Sequence, residues 1–224
     1  MPDVFSPQIL KLIYDSVGQT FYMVAVSGII GTLIGLPLGV FLATSQRGEL
    51  FAAPAANAII GLIVNAARST PFIILVVAIV PLTRLIAGTS IGTSAAIVPL
   101  TIAAAPFIAR VIEAAIRGVD QGLIEAARSM GASPLQIVHK VLLPEALPAI
   151  TLALTLTLVS LIGYSAMVGA VGGGGLGDLG IRFGYQRFMP DVMLAVVLVL
   201  IVLVQGVQSL GDFLARRFDK RSRH

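Results

Sequence analysis

The chain has 224 residues, 57% of them hydrophobic and only 12% charged, with a formal net charge of +4. A soluble domain carries about a quarter charged residues, so the shortage of charge marks an all-α integral membrane protein, better counted in spans of about 20 apolar residues each. The absence of cysteine excludes disulfides, thiolate metal sites and a cysteine nucleophile.

The N-terminus, MPDVFSPQILKLIYDS, has neither a basic n-region nor an A-x-A cleavage site and reads as part of the mature protein. Five apolar runs follow, roughly 18–44, 71–82, 91–109, 149–171 and 192–210, none containing Asp, Glu, Lys or Arg. The second is short for a span and is expected to borrow part of 58–70, where Arg68, Ser69 and Pro71 resemble a helix entering the bilayer from its polar face. Gly35, Pro37, Pro99 and Pro106 fall inside spans, where neighbouring helices cover the freed backbone groups. With the N-terminus outside and five alternating spans, 11 of the 15 Lys and Arg residues fall inside, leaving only Lys11, Arg84, Arg182 and Arg187 outside. The excess of basic residues in cytoplasmic loops therefore predicts an N-out, C-in bundle. The positive charge is then chiefly a sorting signal, with no nucleic-acid partner implied. The basic tail, 211–224, is expected to meet anionic lipid by default, with contact to the partner subunit as the alternative.

In this topology residues 110–148 form the longest loop, on the cytoplasmic side. Asp120 is placed to cap a helix whose first turns hold Leu123, Ile124 and Glu125. Leu123, Ala126, Ala127 and Met130 share one apolar stripe. Gly131 follows where a left-handed residue ends a helix. Ser133-Pro134-Leu135-Gln136 reads as a capping box with proline at the first helical position. Ile137, Val138, Val141 and Leu142 form the apolar side of the second helix, with Pro144 expected to end it and Pro148 to start the next span. The local sequence thus specifies a helix-turn-helix knuckle outside the bilayer, suited to a partner with a groove.

At these residues the chain resembles the permeases of ABC importers. Glu125-Ala126-Ala127, then Gly131, then Val141-Leu142-Leu143-Pro144 follow the EAA-loop pattern E-A-A-x3-G-x9-I-x-L-P, with Val141 in place of the usual Ile. The segments RSTPFIILV, GTSIGTSAAIVPLTIAAAPFIAR and GYSAMVGAVGGGGLGDLG look like the methionine-uptake subfamily in particular, which has five spans. The resemblance implies a bacterial inner-membrane permease that forms a homodimer and receives D- or L-methionine from an extracytoplasmic binding protein or lipoprotein. It implies two cytoplasmic ATPase subunits that hold the ATP and Mg, so this chain carries no cofactor of its own. Glu125, Ala126, Ala127, Met130, Gly131, Ser133, Val141, Leu143 and Pro144 would then couple to the ATPase. A permease for another amino acid or small solute, and an ATP-independent carrier, stand as alternatives.

The remaining patterns do not support enzyme chemistry. No Gly-Lys pair exists to build a phosphate-binding P-loop, and the spans hold no acid, base or histidine for coupling to an ion gradient. The G-x-G-x-x-G fit at Gly175–Gly180 follows an apolar span instead of a strand, so it reads as close-packing backbone in an extracytoplasmic Gly-rich loop, 172–190. Ser165 lacks the glycine at 167 that a nucleophile elbow needs, and His139 and His224 are not placed to pair with it or to build a metal site. Tyr164, Ser165 and Met167, near the far end of the fourth span, are candidate pathway or gate residues, because a flexible thioether plugs an apolar passage well.

Overall fold

The structure is a computed structural model that describes residues 6–218. Ten α-helices account for most of those residues: α1 Pro7–Thr44, α2 Pro54–Ser69, α3 Phe72–Ala78, α4 Val80–Ala87, α5 Thr93–Arg117, α6 Gln121–Ser129, α7 Pro134–Ile137, α8 Leu143–Ala170, α9 Gly175–Leu179 and α10 Pro190–Phe218. Among the described residues, four stretches are long and apolar enough to cross a membrane, namely α1, α5, the continuous α7–α8 rod and α10. The bent pair α2–α3 counts as a fifth if it is taken as one span. The protein is an all-α integral membrane protein.

The centre is α1 packed along α5. Gly31, Gly35 and Gly39 recur every fourth residue and form one stripe on α1. A Cβ at Gly35 would lie 2.7 Å from the Ala105 carbonyl oxygen, and one at Gly39 would lie 2.6 Å from that of Ala109. Small residues at this spacing let two helix backbones approach closely, which is how helices associate when lipid removes the hydrophobic drive between them. α8 packs against α5 and α10. The main core runs from Met23 and Val24 through Leu100, Ile108 and Ile112 to Leu161 and Ile162.

α1 begins well before the expected span. Ser6, with φ −63° and ψ 139°, precedes Pro7 at the first helical position. The added turns pack Ile9 against Leu176, Leu179, Val192 and Val196. They are too polar to read as a span, yet they bury enough apolar surface to stay helical.

The expected second run, 71–82, is not one helix. Thr70 is held extended (φ −82°, ψ 124°) by the proline that follows it, since Pro71 disfavours the helical region for its predecessor. The chain turns by 100° there between α2 and α3. It breaks again at Ile79, ahead of Pro81 in the first turn of α4.

The span expected at 91–109 continues as helix to Arg117, so the first residues of the 110–148 segment are helical. What carries the helix on is a charge ladder. Glu113 is 5% exposed and is paired at 2.6 Å with Arg110 on one side and at 2.6 Å with Arg117 on the other. Arg110 also donates through Nη2 to the Gly61 carbonyl at 2.9 Å, which ties α2 to α5.

Pro144 does not end the second short helix, and Pro148 does not start a new one. Residues Pro134–Ala170 form one continuous helical rod, with a π-helical turn at Val138–Leu142. In an α-helix the ring of Pro144 would collide with the carbonyl four residues back. In the widened turn the Leu143 N–H instead reaches the Val138 carbonyl. Proline is then accommodated in the first turn of α8, where it has no hydrogen bond to lose.

The glycine-rich segment 172–190 is more ordered than the expected loop. α9 and a second π-helical turn, Gly180–Tyr185, fold back onto the bundle, with Leu176, Leu179 and Gly184 buried. Of the basic tail, 211–218 extends α10, while Lys220, Arg221, Arg223 and His224 lie outside the described residues.

Candidate functional site

The elbow is built by local sequence. Asp120 caps α6, its Oδ1 accepting the Gly122 N–H at 2.7 Å. At the other end Gly131 sits at φ +80°, the Gly131 N–H reaches the Arg128 carbonyl at 2.9 Å, and the Ala132 N–H reaches that of Ala127 at 3.1 Å. That pair of bonds is a Schellman motif, which needs a left-handed residue at its centre. Two residues beyond Gly131, the Ser133 N–H donates to Gln136 Oε1 at 2.9 Å and Ser133 Oγ accepts from the Gln136 N–H at 3.4 Å. The capping box opens α7. Two helix ends are thus satisfied within five residues, which leaves the turn little freedom.

The elbow has two faces. Ile124 and Ala127 are buried with Ile137, Val138 and Leu142 in the main core, so the knuckle is anchored to the bundle. Leu123, Met130 and Leu135 point outward, Met130 at 81% exposure. The expected stripe of Leu123, Ala126, Ala127 and Met130 therefore divides, with Ala127 inward and the other three outward. Glu125 is exposed and makes no ion pair or hydrogen bond among the described residues. Asp120 already does the capping. Val141 and Leu143 pack half-buried against the core, and Pro144 is exposed on the rod, so these three support the elbow from behind its tip.

The candidate pathway residues lie at the opposite end of the same rod and do not act alike. Tyr164 stacks on Phe72 of α3, with ring centroids 4.4 Å apart and planes 15° apart. Ser165 is 2% exposed and donates its hydroxyl to the Ile162 carbonyl at 2.7 Å, so it faces the core and is satisfied there. Met167 is 48% exposed. With Leu152, Leu156 and Gly163 it forms an uncovered face of α8. The structure keeps Met167 on an open face and removes Ser165 from it.

The residues that set the glycine-rich segment in place carry no local signal in the sequence, because they act from 156 residues away. Gln19 Oε1 accepts the Gly175 N–H at 2.8 Å, and Thr20 Oγ1 accepts the Leu176 N–H at 2.9 Å. Two side chains of α1 thereby cap α9 from 156 residues away. Gly172, Gly174 and Gly175 all have positive φ. A Cβ at Gly175 would lie 2.7 Å from Thr20 Oγ1. The glycines thus serve helix-to-helix approach. No group of three or more His, Asp or Glu among the described residues could hold a metal.

Known proteins resemble this chain over most or nearly all of its length. It is 56% identical over 210 residues to the probable D-methionine transport system permease protein MetI of Vibrio cholerae, covering 94% of this chain and 93% of that one. It is 53% identical over 164 residues to the D-methionine transport system permease protein MetI of Escherichia coli K12, covering 73% and 76% respectively. A chain of the MetNI methionine ABC transporter, in an inward-facing conformation, superimposes with a TM-score of 0.94 at 50% identity, covering 96% of this chain and 100% of that chain. A model of the binding-protein-dependent transport system inner membrane component matches residues 35–224. With the EAA-type elbow and the apolar bundle both in place, the chain belongs to that family of inner-membrane transport permeases.

Proposed function

We infer that this protein is the permease subunit of a bacterial ABC importer and carries methionine, as the D or L form, across the inner membrane. The observation that carries this reading is the near full-length likeness to methionine permeases, 56% identity across 94% of the chain. It works as a homodimer with two cytoplasmic ATPase subunits, and a binding protein or lipoprotein delivers substrate from outside. The bundle is N-out and C-in with α2–α3 as its fifth span, a reading supported by 11 of 15 basic residues falling on the elbow side. The elbow is then cytoplasmic. Its exposed Leu123, Met130 and Leu135, with Glu125 beside them, suit a cleft in the ATPase. ATP and Mg bind to that partner. Met167 acts as a gate on the open face of α8, where the second copy's equivalent face meets it.

Labelled methionine uptake tests this reading, in cells without methionine transporters of their own that express the permease with its ATPase and binding protein. Uptake that requires all three components is expected. An assembled, ATP-hydrolysing complex that moves no methionine would overturn the substrate assignment and leave the family intact.

A further inference from the structure

On the side of α8 away from Leu156, Gly163 and Met167, a groove of about 530 Å³ runs between α1, α8 and α10. Phe21 and Ile29, Leu154 and Leu158, and Leu203 and Leu210 are among its walls. Its three hydroxyls are already satisfied within their own helices. Thr32 donates to the Gly28 carbonyl at 2.7 Å, Thr155 to that of Thr151 at 2.8 Å, and Thr157 to that of Ala153 at 2.9 Å. The groove therefore asks nothing of an occupant except hydrocarbon.

Its α10 wall has a direction and an end. Leu203, Val207, Leu210 and Leu214 line it at spacings that keep one helical face inward. From Leu203 to Leu214 the helix rises about 16 Å, close to the roughly 15 Å of hydrocarbon in one bilayer leaflet. Arg217 is the next residue on that face, exposed one turn beyond Leu214 and unpaired among the described residues. Arg216, also exposed, points to the opposite side of the helix.

We propose that this groove is a binding site for an anionic glycerophospholipid, with one acyl chain lying between α1, α8 and α10 and the phosphate paired with Arg217. The site is long enough for one leaflet, apolar along that length, and positively charged only where a headgroup would sit. A second copy of this chain would instead meet the face of α8 that carries Met167, so the groove stays open to lipid in the assembly.

The test uses the intact permease–ATPase complex in nanodiscs of equimolar phosphatidylglycerol and phosphatidylethanolamine, with retained lipid counted by native mass spectrometry after gentle release. The wild type is expected to keep phosphatidylglycerol preferentially. Arg217→Gln should lower the ratio of the two retained lipids about fivefold, the worth of one basic residue at an anionic surface. Arg216→Gln should leave that ratio unchanged. Ala25→Phe, which fills the groove from α1, should reduce retention of both lipids while the complex stays assembled. Equal effects of the two arginine variants would mean diffuse surface charge and overturn the site. So would an Arg217→Gln protein with the wild-type ratio. Loss of the second copy in Ala25→Phe would make the groove a protein interface, and if that variant does not fold, the arginine pair alone decides.

Discussion

Gly131→Val is the sharpest perturbation of the elbow. Gly131 has φ +80°, and a Cβ added there meets no atom within 4 Å, so the substitution adds no clash. Its cost is the backbone's own. A side chain in the left-handed region costs about 1–2 kcal/mol, with β-branched residues at the upper end and Asn at the lower. That shifts the population of the turn by about 5- to 30-fold. Relief comes by continuing α6 as a right-handed helix, which breaks the Ala132 N–H bond to the Ala127 carbonyl and moves the Ser133 box out of place. The spans make none of these contacts, so the bundle should insert normally. In methionine uptake, and in copurification of the ATPase with the permease, the order should be Gly, Asn, Ala, Val, with Val lowest. A Val variant transporting at the wild-type rate would refute the reasoning. So would an Asn variant as damaged as Val, since the loss would then not follow backbone conformation.

Three further outcomes are expected. Met167→Ala should raise basal leak or uncoupled ATP hydrolysis in reconstituted vesicles without loss of assembly, because the thioether that fills the open face is removed; unchanged leak and unchanged hydrolysis would retire the gate. Gly35→Ala should lower the apparent melting temperature of the purified protein through about 1–3 kcal/mol of overpacking, since its methyl would sit 2.7 Å from the Ala105 carbonyl oxygen and Ile108 Cβ. Gly18→Ala, which meets nothing within 4 Å, should not lower it. Glu113→Gln should cost about 2 kcal/mol, less than a fully buried pair because Arg110 and Arg117 both reach water; a fall in melting temperature of several degrees checks it.

The parts of the fold that were legible in the sequence are those governed by near neighbours. The four long helices follow from uninterrupted apolar runs, and the elbow follows from Asp120, Gly131 and the Ser133–Gln136 box, whose partners are all within five residues. Pairings across the chain were not legible. The stripe of Gly31, Gly35 and Gly39 looks like scattered small residues until α5 lies against it. Gln19 and Thr20 show no sign of capping a helix 156 residues away. Glu113 stood beyond the apolar run and so read as loop, although two arginines one turn away on either side make its burial tolerable. Pro144 read as a stop because a proline usually is one, and only a widened turn beneath it lets the helix pass. Ser165 is a pathway candidate by proximity to Met167, but at about 100° per residue two positions apart lie on opposite sides of the helix, and Ser165 falls on the core side.

The continuity through Pro144 bears directly on how the proposed coupling would work. Because Pro134–Ala170 is one rod, the elbow's second helix and Met167 belong to the same continuous helical element. From Pro134 to Met167 the rise is about 50 Å. A lever of that length turns a tilt of about 5° at one end into a shift of about 4 Å at the other. That is enough to separate two methionine side chains that meet across a dimer axis. The rod has one soft point, the π-helical turn at Val138–Leu142, whose wider ring sits between α7 of the elbow and the long apolar α8. If the turn tightened to α-helix, the register between elbow and span would rotate and Pro144 would collide with the turn below it. The proline therefore holds the turn open and fixes the angle at which a push on Leu123 and Met130 enters α8. Between the proposed ATPase surface on α6 and the proposed gate, transmission then has only the 131–133 turn and the packing of Ile124 and Ala127 on Ile137 and Val138 to cross, since Leu135 and Met167 lie at the two ends of one rod.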